Sequence, residues 1–223
     1  MEKIIGFIHV YAVNNYKQIV ENQVREIFDS GLYEAVEKIW YVVIGDNEFR
    51  IPGDKYHLLA QSLNLDLSEN FTLNMLRMEV LLSKTDFKLF YIHTKGVTKP
   101  KSKQLEFWRL FMEYFNISCW VYCLEALDQA DIAGVNRRVY AKKRVHFSGN
   151  FWWANSKYIR RLPQLSKEGY GREVNRWDGE FWIGDGNPTS VQLWNSRVHM
   201  ATQQYSPNYY KGKSPQMYFF DKK

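Results

Sequence analysis

Apolar positions along this chain follow two periods in alternation. Ile4-Ile-Gly-Phe-Ile-His-Val10, within a strand that starts at Lys3, is an almost unbroken apolar run, the pattern of a strand buried on both faces. After a polar turn at Asn14-Asn15, the residues Ile19, Val20, Val24, Ile27 and Phe28 recur at helical spacing over 16–30, and Gly31 is a plausible stop. A second strand over 39–44, Ile-Trp-Tyr-Val-Val-Ile, ends at Gly45-Asp46-Asn47. Strand, helix, strand is the opening of an α/β fold. Residues 45–70 are polar and irregular, with a short element over 56–63. Leu73, Leu76, Met78, Val80, Leu81 and Leu82 then predict a mostly buried helix, capped by Ser68 or Asn70. The third strand, 88–92, runs directly into His93-Thr-Lys-Gly96 and a basic loop over 97–103. Two helical stretches follow, about 104–115 and 117–129, and 130–135 is a short strand. Residues 145–155 read as a strand broken by Ser-Gly-Asn, with a helix starting near Ser156. A turn leading into a helix is expected over 169–185, and the Tyr-, Lys- and Pro-rich tail from Ser206 reads as a packed extension or an arm. No repeat or low-complexity linker interrupts the series. The expectation is a single α/β domain over 1–223, Rossmann-like, with an open and mostly parallel central sheet flanked by helices.

Composition narrows this only slightly. With 223 residues, 45% hydrophobic and 24% charged, the chain is ordinary globular protein and long enough for a core and a cleft. Its formal charge of +6 and pI near 9.1 suit phosphate-bearing small molecules, an anionic membrane surface or nucleic acid, and choose none of them. No apolar run approaches the ~18–20 residues of a membrane helix. The N-terminus lacks the apolar core and cleavage site of a signal peptide. Cys119 and Cys123 lie four apart on a helical stretch, a spacing for neighbouring core thiols, so a reducing cytoplasm is the expected location. Asn70-Phe-Thr72 and Asn116-Ile-Ser118 match the glycosylation pattern, which carries no meaning there.

Several chemistries are absent as motifs. There is no Walker A loop, no Gly-x-Gly-x-x-Gly after the first strand, no Gly-x-Ser-x-Gly elbow and no His-Glu-x-x-His. Three segments remain. His93-Thr94-Lys95-Gly96 ends a strand at the edge where open α/β sheets place ligands. Lys95 as a point charge, His93 as a donor and the close backbone at Gly96 suit a pyrophosphate; a solvated surface turn is the alternative. Phe147-Ser-Gly-Asn-Phe-Trp-Trp-Ala154 places Trp152 and Trp153 on opposite faces of a strand, one for the core and one available to a sugar ring, unless both are core. Asp178 and Glu180 flank Gly179: either one serves as a general base, or they are a helix cap and a first-turn carboxylate with Arg176 as ion partner. His9 and Tyr11 also end a strand at the ligand edge, and Thr72 near the start of its helix is a contact or merely a cap. Lys99, Lys101 and Lys103 read as a solvated loop, with attraction of phosphate or a membrane as the alternative; Asp131 and Asn136 flank a short strand and fit either a functional or a structural role; His199 reads as a lone structural histidine.

Taken together, Phe7-Ile-His-Val-Tyr-Ala12, Ser30-Gly-Leu-Tyr33, Glu69-Asn-Phe-Thr-Leu73, Tyr91-Ile-His-Thr-Lys-Gly-Val97 and His146-Phe-Ser-Gly-Asn-Phe-Trp-Trp-Ala-Asn155 resemble a group of glycosyltransferases of GT-A fold, found in bacterial polysaccharide gene clusters and large DNA viruses. The last two segments carry most of the specificity, and the set spans most of residues 4–185. The resemblance implies a nucleotide-sugar donor held by about 1–100, an acceptor held by about 101–200, and a C-terminal extension over 201–223 outside it. It implies donor contacts from His9, Tyr11, Thr72, His93, Thr94, Lys95 and Gly96, with Tyr11 bordering the nucleobase. Asn150, Trp152 and Trp153 would line the sugar or acceptor site. Asp178 or Glu180 would act as base in an inverting transfer to a hydroxyl of a glycan or lipid-linked acceptor.

Such enzymes usually hold Mn²⁺ or Mg²⁺ on an Asp-x-Asp motif, where this chain has His93-Thr94-Lys95. A lysine there opposes a cation that wants carboxylate oxygen. The favoured expectation is a reaction needing no metal, with Lys95 and His93 in its place; a metal held by carboxylates elsewhere stays open. A non-catalytic sugar- or nucleotide-binding module is the alternative. A nucleic-acid-binding protein ranks lower because the basic residues are dispersed. Peripheral membrane contact through residues 99–103 and the aromatic tail is compatible with a lipid-linked acceptor.

Overall fold

The computed structural model describes residues 3–140, 144–165 and 178–221. The expected segment over 169–177, with Arg176, lies outside the described residues. In chain order the elements are β1 (Ile4–Tyr11), α1 (Tyr16–Asp29), α2 (Leu32–Ala35), β2 (Lys38–Ile44), β3 (Tyr56–Ser62), α3 (Glu69–Leu82), β4 (Lys88–His93), α4 (Lys103–Glu113), a π-turn over Tyr114–Ser118, and α5 (Trp120–Leu127). There follow β5 (Ile132–Gly134), β6 (Arg137–Tyr140), β7 (Arg144–Phe147), β8 (Trp152–Asn155), α6 (Ser156–Ile159), α7 (Asp178–Trp182), β9 (Ser190–Gln192), a 3₁₀ turn over Pro207–Tyr209, and β10 (Tyr218–Phe220). Ser68 caps α3, its hydroxyl accepting from the Asn70 amide.

Eight strands form one sheet in the order β10-β9-β5-β8-β4-β1-β2-β3, and β6-β7 stand apart as a hairpin. The half β4-β1-β2-β3 is all parallel. Beyond β4 the direction reverses: β8 is antiparallel to both β4 and β5, β9 is parallel to β5, and β10 is antiparallel to β9. The α/β architecture with an open, mostly parallel sheet is therefore present. The tail is a packed extension, because β10 adds a strand to the sheet edge.

The alternation of side chains along the strands sorts the core into two faces. Ile8, Val10, Phe90, Ile92 and Trp153 pack with Ile19, Ile27, Phe111 and Phe115 beneath α1 and α4. Ile5, Phe7, Leu89, Tyr91 and Trp152 pack with Leu73, Leu76, Val80, Tyr158 and Trp182 beneath α3, α6 and α7. The same alternation carries His9 and His93 to the α3 face, two residues beyond Phe7 and Tyr91. Because β1 and β4 are parallel and in register, His9 stands directly beside His93 at their carboxyl ends. Among the described residues no helix is long and apolar enough to cross a membrane.

Candidate active site

The α3 helix begins over these two histidines. Glu69 and Thr72 are three residues apart, so both lie on the helix face that meets the sheet. Thr72 Oγ1 shares a 2.7 Å hydrogen bond with His9 Nδ1, and both side chains are buried. Glu69 Oε2 accepts from Tyr91 Oη at 3.1 Å and from Asn150 Nδ2 at 2.8 Å. Its Oε1 lies 3.7 Å from His93 Nδ1, and the Glu69 side chain keeps 24% of its surface open to solvent. His93 is fixed from its other side, where Nε2 donates to the Gly149 carbonyl at 2.8 Å. That bond requires the proton on Nε2, so the neutral ring turns an unprotonated Nδ1 toward Glu69.

The electrostatics follow from burial and crowding. Burial pushes His9 down to about 4, only partly opposed by the Glu69 carboxylate. Burial lowers His93 as well, against the pull of Glu69 and with help from Lys95. Burial alone would raise Glu69, but the charges of His93 and His9 in their protonated forms and of Lys95 outweigh it, and with the Asn150 bond they hold its carboxyl below the usual range. At neutral pH the cluster is a carboxylate between two neutral imidazoles with a lysine in range.

The turn after β4 supplies that lysine. Thr94 is buried and ties the strand ends together: its Oγ1 accepts from the Tyr11 amide at 2.9 Å, and its own amide donates to the His9 carbonyl at 3.1 Å. Gly96 adopts φ +88°, as a tight turn requires. Lys95 Nζ lies 4.0 Å above the Trp108 ring, a cation–π contact that holds the ammonium at the mouth of the cluster. A buried polar chain supports the turn from below. Arg109 donates to the Lys95 carbonyl at 3.2 Å, and Gln23 donates to the His93 carbonyl and to Glu113. Arg109 and Glu113 form a buried ion pair at 3.3 Å. None of these three residues stands out in the sequence, where they read as the solvated faces of their helices.

The loop Ser148-Gly-Asn150 closes the other side. Gly149 has φ +95° and Asn150 φ +62°, and the reversal aims the Gly149 carbonyl at His93 and the Asn150 amide at Glu69. Trp152 Nε1 donates to Asn150 Oδ1 at 2.9 Å and fixes which end of that amide faces Glu69. The expectation for the two tryptophans needs correction. They do face opposite sides of β8, but both are fully buried, because β8 is an interior strand with helices over both faces. Neither indole offers a face to a sugar ring.

Tyr11 is half-buried at the rim, its ring 6.4 Å from that of His9 and its hydroxyl donating to the Leu65 carbonyl. Asp178 and Glu180 open α7, whose Gly179 packs so closely on α3 that a Cβ there would lie 2.5 Å from Asn70 Oδ1. This brings the start of α7 against the start of α3. Asp178 lies 3.7 Å from Arg144, which also pairs with Asp185.

Other residues singled out in the sequence are structural or apart. Asp131 accepts from the Thr189 amide and pairs with Arg161, and Asn136 accepts from the Ser196 amide. His199 bonds locally to Thr202, and Lys99, Lys101 and Lys103 are exposed. Asn116 is fully buried, which removes it as a glycosylation acceptor. Cys119 and Cys123 are both free.

The donor set at the end of β4 does not fit a hard divalent cation. It offers an amide-anchored imidazole, a buried hydroxyl and an ammonium, where oxygen anions are wanted. Among the described residues no group of three or more His, Cys, Asp or Glu side chains is arranged to hold a metal ion.

The acid–imidazole cluster and the mounted lysine lie at the carboxyl edge of an open α/β sheet, the edge where such folds bind ligands. The chain itself belongs to the family described as domain of unknown function DUF8361, which matches residues 7–210. No curated protein sequence matches it. Among solved structures it is similar to the galactosyltransferase LgtC, determined in complex with donor and acceptor sugar analogues, at 12% identity and a TM-score of 0.40, over 80% of this chain and 71% of that one.

Proposed function

We propose that the protein is a glycosyltransferase that moves a sugar from a nucleoside-diphosphate donor to an acceptor hydroxyl, on a single domain whose N-terminal half holds the donor. The observation that carries the reading is the cluster at the ends of β1 and β4. A lysine beside a polar, partly buried cluster can meet the charge that develops on a departing diphosphate. Carboxylates at the starts of α3 and α7 are the candidates for the base that an acceptor hydroxyl needs. The motif resemblance centred on residues 91–97 and 146–155 supports it, since those two segments build the cluster.

Lys95 is the diphosphate contact in this reading. His93 serves by shaping the pocket, because its Nε2 proton is committed to Gly149. Tyr11 borders the nucleobase, and Asn150 orients a carboxylate. Trp152 and Trp153 contribute by packing. Asp178 and Glu180 stand on the acceptor side, and the displacement is inverting. The acceptor is a glycan or lipid-linked hydroxyl, reached by cytoplasmic or peripheral enzyme.

The test is release of nucleoside diphosphate from UDP-, GDP-, dTDP- and CMP-linked sugars (monophosphate for the last) with a panel of glycan acceptors, each with Mn²⁺ and with EDTA. Turnover of one donor class, equal in both arms, is expected. Binding without turnover would favour a sugar-binding module, and strict Mn²⁺ dependence would remove Lys95 from the metal's place. Asp178→Asn and Glu180→Gln, measured separately, then read out their part in turnover.

A further inference from the structure

The geometry of the Glu69 carboxylate is set by named partners. Each of its oxygens has a separate task. Oε2 is held by two donors, Tyr91 Oη and Asn150 Nδ2, so the carboxylate has one orientation. Oε1 receives no hydrogen bond from the described residues and lies 3.7 Å from His93 Nδ1, on a side chain that keeps 24% of its surface open. The carboxylate also sits at the first residue of a 14-residue helix, where the backbone amides favour its charge. Asp178, by contrast, faces Arg144.

We infer that Glu69 is the general base of the transfer reaction, its free oxygen taking the proton of the acceptor hydroxyl and His93 Nδ1 sharing that proton. The inference rests on the transferase reading. The acceptor oxygen forms a bond to the anomeric carbon as the bond from that carbon to the donor's phosphate oxygen breaks. The leaving nucleotide takes the electron pair and faces Lys95, and the hydroxyl proton ends on Glu69 Oε1. His93 suits this part because Gly149 keeps its other nitrogen protonated, leaving Nδ1 open to a proton 3.7 Å from the carboxylate. The groups that act on Glu69 are His9 from β1, Tyr91 and His93 from β4, Lys95 from the turn, and Asn150 from the loop before β8.

The experiment compares wild type, Glu69→Gln and Tyr91→Phe for donor affinity, single-turnover rate and pH profile, with circular dichroism and thermal unfolding as checks of folding. Glu69→Gln keeps the shape that Asn150 grips, so donor affinity should stay within about threefold, while the transfer rate falls by about 10²–10⁴-fold and the acidic limb of the profile disappears. Tyr91→Phe removes a hydrogen bond to the charged form, so it should move that limb to higher pH with the fold intact. Wild-type turnover that Glu69→Gln retains, with an unchanged acidic limb, overturns the assignment and leaves the transferase reading standing. A folded wild type that turns over no donor of the panel overturns both.

Discussion

Gly149 is the point where the aromatic loop grips the histidine, and replacing it with alanine tests that grip. Two costs arise from different causes. At φ +95° an L-residue is strained, by roughly 1–2 kcal/mol. A Cβ would also overlap Met112 Sδ and lie 2.7 Å from Trp108 Nε1, and Met112 is fully buried with little room to yield. Overpacking of this kind costs about 1–3 kcal/mol more. Gly31 is the control, since it has φ +76° but nothing within 4 Å of its missing Cβ. Gly31→Ala should therefore carry the strain alone. Gly149→Ala should melt below Gly31→Ala by roughly 2–12 °C, taking about 2–4 °C per kcal/mol at this size. Adding Met112→Ala to Gly149→Ala should cost less than the sum of the single changes, with a coupling of at least about 0.5 kcal/mol. Equal melting of the two glycine variants, or full additivity with Met112→Ala, would refute the packing argument. The functional consequence would follow, because a displaced Gly149 carbonyl no longer fixes the tautomer of His93.

Other consequences concern the buried support and the titrating groups. Arg109→Leu strands the Glu113 carboxylate, which burial already pushes up, and should cost about 3–5 kcal/mol in denaturant unfolding; the double variant with Glu113→Leu should recover most of it. Thr72→Val keeps volume but leaves His9 Nδ1 without its partner, for about 1–3 kcal/mol. Stability should fall as pH drops from about 6.5 toward 4. The unfolded chain protonates His9 near 6.5 and the folded chain only near 4, so stability present above 6.5 is lost across that window, by roughly 3 kcal/mol from this group. His146, pushed down to about 4 by burial, with Arg138 and Arg144 adding to it, acts in the same direction. Denaturant titrations at several pH values should show a shallower loss in His9→Asn; an unchanged slope would contradict the assignment.

The strands of the parallel half were legible because buried strands and amphipathic helices write different periods into the chain. The ends of β1 and β4 also pointed to the site, since polar residues interrupt apolar runs where an open sheet binds ligands. Glu69 was visible only as part of a motif. Its role depends on the register that sets His9 beside His93 and on the three-residue spacing from Thr72, which together bring α3 over that pair. The signal was there in the spacing of two polar residues on an otherwise apolar helix face, but it has meaning only once the facing strands are known. The tryptophan pair failed for a related reason. Alternation assigns opposite faces, yet whether a strand lies inside a sheet or at its edge depends on residues far away in sequence. Gln23, Arg109 and Glu113 were hidden because a charged helix face normally meets water. Here it meets the carbonyls of residues 93 and 95, which need donors beneath the turn.

The most direct measurement is a thermal-shift panel of UDP-, GDP-, dTDP- and CMP-sugars on wild type and on Lys95→Ala. A ligand at about 100 times its Kd adds roughly 2.7 kcal/mol, a rise of about 5–11 °C for a chain of this size. The account predicts such a rise for one nucleotide class in wild type and its loss in Lys95→Ala. No rise for any donor, or an equal rise in both proteins, would contradict it.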